Sequence, residues 1–414
     1  MTPRGDDGRA VSVRRILSLD ALRESPDFRR LFLATFGSGV GTYLAVVALT
    51  VDVFDRTGSG AWVSALLIAD FLPVILIGLL FAPLVDRLSR RRLLIVSDLV
   101  RAAVFCVLPF ATNATTIVAL AAVVGIATGF FRPAVYAGMP NLVDDARLPQ
   151  ATSLFQTVEN LTWMIGPVLG GIVIAVHGPD LAYWLNAATF VVSAAFLARI
   201  SAARLQAGTA ESRGHWRDIG DGIQVVLRSK LLLAVLVVWN VVTLGNAAIN
   251  VAEVVLAKVA LGSGDIGFGV LVAASGLGLT LGSFASGTAV DRVGLGRLYA
   301  LGIVLMAAGY AVAAVAPNIY VAVPAVVLAT FGNGAAVVCN ALFVQRGAPD
   351  ELRGRAFTVI MSSNYALLGV GMVAAGALTD AVGARWVWGG AAAAYLVAGL
   401  LAFALAPSRR EATT

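Results

Sequence analysis

Hydrophobic positions along this chain fall into twelve long runs, at 31–53, 61–85, 93–112, 115–136, 151–177, 181–199, 231–257, 266–290, 298–316, 319–345, 356–379 and 386–406. Their lengths cluster around the about 20 residues that an α-helix needs to cross the hydrocarbon core of a bilayer. Backbone in lipid has no water to pair with and must hydrogen-bond within its own segment, so runs of this length predict helices. The pattern predicts an all-α polytopic membrane protein with twelve transmembrane helices. Between the sixth and seventh runs, residues 200–230 form a longer polar connection in which Trp216, Ile219, Ile223 and Val226 recur at helical spacing, as in a short interfacial helix.

The runs form two copies of one unit. The polar hairpin between the second and third runs, APLVDRLSRRR at 82–92, recurs as GTAVDRVGLGR at 287–297. At the same offset of 205 residues, Asp86 matches Asp291, Arg87 matches Arg292, and Arg92 matches Arg297. So do Gly129 and Gly334, Gly166 and Gly371, Gly171 and Gly376, and Gly178 and Gly383. A repeat of six helices in unchanged orientation predicts two parallel halves, with a substrate site near the bilayer midplane between them. The expected organisation is a cytoplasmic leader over 1–27, a first half over 28–199, a central loop over 200–230, a second half over 231–406 and a tail over 407–414.

Charge orients this arrangement. Of the 30 lysines and arginines, Arg56, Lys258 and Arg385 fall in alternate connections, Arg101 and Arg132 lie within runs, and the other 25 lie in the remaining connections and the ends of the chain. The positive-inside rule puts those 25 in the cytoplasm, with both termini. Trp62, Trp184, Tyr320, Trp386 and Trp388 open runs at the other face, where interfacial aromatics anchor helices. Composition agrees: charged residues are 13% of the chain against roughly 25% in soluble domains, and mean hydropathy is +0.86. The net charge of +6 is therefore topological and does not predict nucleic-acid binding. Cys106 and Cys339 both lie in apolar runs, and with only two histidines no metal site or cofactor is expected.

Charged residues inside the runs are the candidates for chemistry. A carboxylate in the membrane is costly as an anion and neutral once protonated, so it can bind and release a proton. Asp70 in the second run and Glu159 in the fifth are the proposed protonation sites, and the repeat partner of Glu159 is Asn364. Asp52 and Glu253 lie near outer ends and are read as interfacial or gating groups. Asp98 and Arg101 stand three residues apart on the third run, and Arg132 is expected to approach them from the fourth. Asn246, Asn250 and Glu253 form one polar stripe on the seventh run, with Asn240 further inward. No HExxH or GxSxG motif supports an enzyme, and no P-loop lysine supports ATP-driven transport.

The sequence resembles the major facilitator superfamily over 26–406. Residues 82–92 are similar to that family's motif A, with Ala82 and Ser89 in place of its usual glycines. Ile165-Gly166-Pro167-Val168-Leu169-Gly170-Gly171 is similar to motif C, the GPxxGG signature associated with exporters of the proton-antiporter type. Phe28-Arg29-Arg30-Leu31, Ser97-Asp98-Leu99-Val100-Arg101-Ala102 and Phe131-Arg132-Pro133-Ala134 resemble the branch containing enterobactin and macrolide exporters. That branch often carries a Gly-Asp pair in its first span, and Ser38–Tyr43 has no acid there. The resemblance implies that Asp86 latches onto the N-terminus of the eleventh span. Asp86, Arg87, Arg90, Arg92, Asp98, Arg101, Arg132, Asp291 and Arg292 are expected, from their place at the ends of the spans, to form the conformational switch, with Asp86, Arg87, Asp98, Arg101 and Arg132 as a charge network that rearranges. Spans one, four, seven and ten then line the cavity, through Ser38, Thr42, Tyr43, Asn240, Asn246, Asn250, Asn333 and Asn340. The function implied is alternating-access export of a small amphipathic or cationic organic molecule in exchange for protons, by a monomer in a bacterial-type inner membrane. Uptake or uniport of a metabolite, and transport of a lipid or lysolipid, are the competing readings.

Overall fold

The computed structural model describes residues 20–80, 88–144, 147–206, 215–349 and 352–405. Twelve helices within them are long and apolar enough to cross a membrane. Spans one to six are Pro26–Thr57, Gly60–Leu80, Arg90–Val107, Ala114–Gly138, Leu148–His177 and Pro179–Ala198. Spans seven to twelve are Lys230–Val255, Gly264–Val293, Leu295–Val315, Ile319–Gly347, Arg353–Val382 and Ala384–Leu405. A 3-10 turn, Leu108–Phe110, ends span three, and a π turn, Leu256–Ala260, ends span seven. Asn113, Ser229 and Asn318 cap spans four, seven and ten by accepting a backbone N–H of the first turn. The central connection contains the helix His215–Arg228. It docks on the start of span eleven through Gly222, where a Cβ would lie 2.7 Å from the Arg355 carbonyl, and through the buried Val226. Ile223 and Leu227 remain exposed.

The 205-residue repeat is a repeat of backbone geometry. Gly178 and Gly383 occupy the same turn, before spans six and twelve, at φ 77° and 87° with ψ 177° and 158°. That region is open essentially to glycine alone. Either residue replaced by alanine is expected to cost roughly 1–3 kcal/mol, seen as a lowered midpoint of thermal unfolding in detergent. The interhelical contacts repeat too. A Cβ on Gly129 would press on Val74 and Ile77 of span two, and one on Gly334 would press on Leu279 and Ser283 of span eight. These small residues let helix backbones meet where lipid offers no hydrophobic drive to association.

The chain compacts into two units that do not divide at its middle. The first contains residues up to Val46, Ala69–Gly166 and His177–Ala210; the second contains Val47–Ile68, Pro167–Val176 and Glu211 onwards. Spans one, two and five therefore change neighbours along their length. In span five the change falls between Gly166 and Pro167, inside the motif-C-like stretch, where proline removes a helix hydrogen bond. On one side Gly166 packs against Tyr43, with a virtual Cβ 2.6 Å from that residue's own Cβ. On the other, Gly171 packs against Asp265 and Ile266 of span eight.

Each unit has its own core. In the first, Phe28, Phe131, Phe155, Leu94 and Leu197 from spans one, three, four, five and six are almost wholly buried together. In the second, Trp388 is fully buried with its ring edge-on to Tyr310, 5.5 Å between centroids. Trp388 is thus a core residue and not the interfacial anchor expected of it, because it follows the exposed Trp386 by two residues, about 200° around the helix, and so faces the opposite way, onto Tyr310. Trp62, Trp184, Tyr320 and Trp386 are exposed.

Candidate functional site

Span three brings Asp98 and Arg101 onto one face, and the face is buried. Arg101 Nη2 donates to Asp98 Oδ1 at 2.5 Å, with side-chain exposures of 5% and 0%. The guanidinium lies between the rings of Phe131 (span four) and Phe190 (span six), 4.2 and 4.3 Å from their centroids. Such cation–π contact replaces part of the lost hydration. Asp70, half-buried on span two, lies within electrostatic reach of the same guanidinium. The group holds two carboxylates and one guanidinium. One proton would make it neutral.

A second polar group occupies the first unit. Arg132 Nη2 on span four lies 3.2 Å from Glu159 Oε1 on span five, and the Tyr136 hydroxyl donates to the same oxygen at 2.8 Å. Tyr43 of span one lies within electrostatic reach of both Arg132 and Glu159. The pair is partly open, with Arg132 53% and Glu159 28% exposed. Arg132 therefore does not join Asp98 and Arg101 as expected. It faces span five, whereas Arg101 is enclosed by the rings of spans four and six.

The other switch residues separate in the same way. Asp86 and Arg87 lie outside the described residues. Arg90 Nη1 donates to the Ala137 and Leu205 carbonyls at 3.0 and 3.1 Å, fastening the end of span four to the segment after span six. In this conformation both contacts are to backbone carbonyls, and no carboxylate among the described residues pairs with it. Arg92, Asp291 and Arg292 are exposed.

Among the cavity candidates, Ser38 and Thr42 donate to carbonyls of their own helix, Ala34 and Ser38. Ser38 is buried and is a packing residue. In the second unit, Asn240 Nδ2 donates to Ser363 Oγ at 2.9 Å. Asn364, its amide turned to satisfy its neighbours, donates to Asn240 Oδ1 at 2.7 Å and accepts from Trp239 Nε1 at 3.2 Å. The repeat partner of Glu159 thus also sits in a polar cluster. Asn246 accepts from the Tyr395 hydroxyl at 2.8 Å, which ties span seven to span twelve, and it remains half-buried. Asn250 is exposed, and on span ten Asn340 is buried and Asn333, two turns earlier, half-buried. Of the gating candidates, Asp52 pairs with Arg56 at 2.6 Å, and Glu253 is buried. Among the described residues no three His, Cys, Asp or Glu side chains converge as metal ligands.

Sequence reasoning missed Tyr136, Ser363 and Tyr395. Tyr136 could have been found as the residue four after Arg132, on the same helical face; Ser363 and Tyr395 carried no local signal.

Residues 18–413 match the family described as transmembrane secretion effector. The chain belongs to this family of major facilitator transporters. It is 27% identical to the multidrug efflux pump Tap of Mycolicibacterium fortuitum, over 85% of this chain and 89% of that protein. To the pump of the same name in Mycobacterium tuberculosis (strain ATCC 25618 / H37Rv) it is 26% identical, over 93% and 94%. A bacterial homologue of the iron transporter ferroportin, solved in an inward-facing state, shares its fold at a TM-score of 0.75 and 13% identity, over 92% of this chain and 99% of that one. This transporter is a multi-pass protein of the cell membrane acting on small molecules, and it is not an enzyme.

Proposed function

We propose that this transporter exports a small amphipathic or cationic organic molecule in exchange for protons, by alternating access. The observation that carries the coupling is the buried Asp98–Arg101 ion pair, with the second carboxylate of Asp70 within electrostatic reach of the same guanidinium. Asp98 is committed to Arg101, which leaves Asp70 as the acid that gains and loses a proton. Glu159, held by Arg132 and Tyr136 and partly open, is the group a cationic substrate competes for. The relatives named multidrug efflux pumps support export, and the arginine distribution supports cytoplasmic termini.

The test is cationic-dye efflux from cells expressing wild type, Asp70→Asn or Glu159→Gln, with the protein quantified in the membrane. Efflux in Glu159→Gln is expected to lose affinity for cationic dyes while keeping its sensitivity to a protonophore. A Glu159→Gln protein that transports every cationic dye like wild type would remove Glu159 from the substrate site.

A further inference from the structure

The connections between spans one and two, seven and eight, and eleven and twelve meet within the second unit. There Asp380, at the end of span eleven, reaches the first turn of span two. Its Oδ1 accepts the Gly60 N–H at 2.5 Å, its Oδ2 accepts the Ala61 N–H at 3.2 Å, and the Ser59 hydroxyl donates to Oδ2 at 2.7 Å. These donors have no partner inside their own helix, and the helix N-terminus carries partial positive charge, so a carboxylate is the matching group.

Span two and span eleven are in backbone contact below this cap. A Cβ on Gly376 would lie 2.8 Å from Ser64 Cβ and 2.9 Å from Ala61 Cα, and the Ser64 hydroxyl donates to the Met372 carbonyl at 2.6 Å. The repeat supplies a matching contact. Gly171, 205 residues before Gly376, meets Asp265, Ile266 and Gly269, which are 205 residues after Gly60, Ala61 and Ser64. The cap itself is not repeated, because residue 175 is alanine. At the repeat-related site Lys258 takes its place, bridging Asp55 at 2.5 Å and Asp265 at 2.7 Å.

We infer that Asp380 is a latch: its carboxylate on the N-terminus of span two, assisted by the Lys258 bridge, holds this face of the transporter shut and must let go for it to open. The inference rests on the alternating-access reading for its consequence, though the latch itself does not depend on export or on protons. All the cap's partners are backbone N–H groups or a serine hydroxyl, so its loss removes no core contact.

Spin labels at Trp62→Cys, two residues past Gly60, and Trp386→Cys, six residues past Asp380, both exposed positions of the second unit, report separation of the two sides of the cap by distance distribution in nanodiscs. Cys106→Ala provides the background, and the fully buried Cys339 stays unlabelled. Asp380→Ala is expected to add or enlarge a longer-distance population, shifting the open-to-closed ratio about tenfold, as loss of a helix cap does. Asp380→Asn, which restores an acceptor without the charge, should return part of the way, and Ser59→Ala should shift the ratio less than Asp380→Ala in the same direction. Distributions for Asp380→Ala that superimpose on the parent, with the Ser59→Ala protein equally unmoved, overturn the latch. Because no substrate or proton gradient is present, a wrong assignment of export would leave this readout intact.

Discussion

Replacing Asp70 by asparagine is expected to reduce protonophore-sensitive efflux to the level of cells lacking the transporter, while dye binding to the purified protein survives. Asparagine keeps the size of the acid and one acceptor oxygen and resembles its protonated form, but it can neither ionise nor exchange a proton. In the wild-type protein the group of Asp70, Asp98 and Arg101 carries one negative charge when both acids are ionised and none when one is protonated. A charge of that kind in a lipid-surrounded helix bundle is costly, which is why it is a functional position by default. In Asp70→Asn the group is neutral at all times, and the protein loses the difference between a protonated and a deprotonated state that drives the exchange. Binding measured by dye fluorescence and transport measured by efflux separate the two effects. Loss of both together would mean that Asp70 holds the substrate or the fold and does not carry the proton.

Arg101→Ala is expected to give the largest loss of stability, roughly 3–5 kcal/mol, the range for breaking one side of a buried ion pair. It strands the fully buried Asp98 and empties the space between Phe131 and Phe190. The double variant Asp98→Leu/Arg101→Met should recover most of the loss, because it strands no charge and refills the space with apolar groups. The deficit of the single variant should also shrink as pH falls, since a protonated Asp98 needs no cation. Thermal unfolding in detergent across pH measures all three. Equal destabilisation of the single and double variants would show that the pair's packing, and not its charge balance, matters.

The twelve spans were legible because each apolar run is long enough to have only one fate in lipid. The repeat was legible because turn glycines such as Gly178 and Gly383 answer to backbone geometry, which both halves share. The Asp98–Arg101 pair could be read from its three-residue spacing on one helix. What spacing does not contain is the rotation of one helix against another. Arg132 and Glu159 meet across 27 residues and Asn246 and Tyr395 across 149, and in each case the partner depends on which way the neighbouring span is turned. Trp388 shows the same gap: position near a span end suggested an anchor, and packing against Tyr310 made it core. The unequal division of the chain was also hidden, since spans one, two and five look uniform in sequence yet change neighbours part-way along.

The most direct test of proton-coupled export is purified protein in liposomes with an imposed pH gradient and a fluorescent organic cation, comparing wild type with Asp70→Asn. The account predicts that wild type moves the cation against the proton flow, that reversing the gradient reverses the movement, and that Asp70→Asn does neither. Cation movement in wild type that is the same with and without the gradient, and unchanged in Asp70→Asn, would contradict it and describe a facilitated diffuser instead.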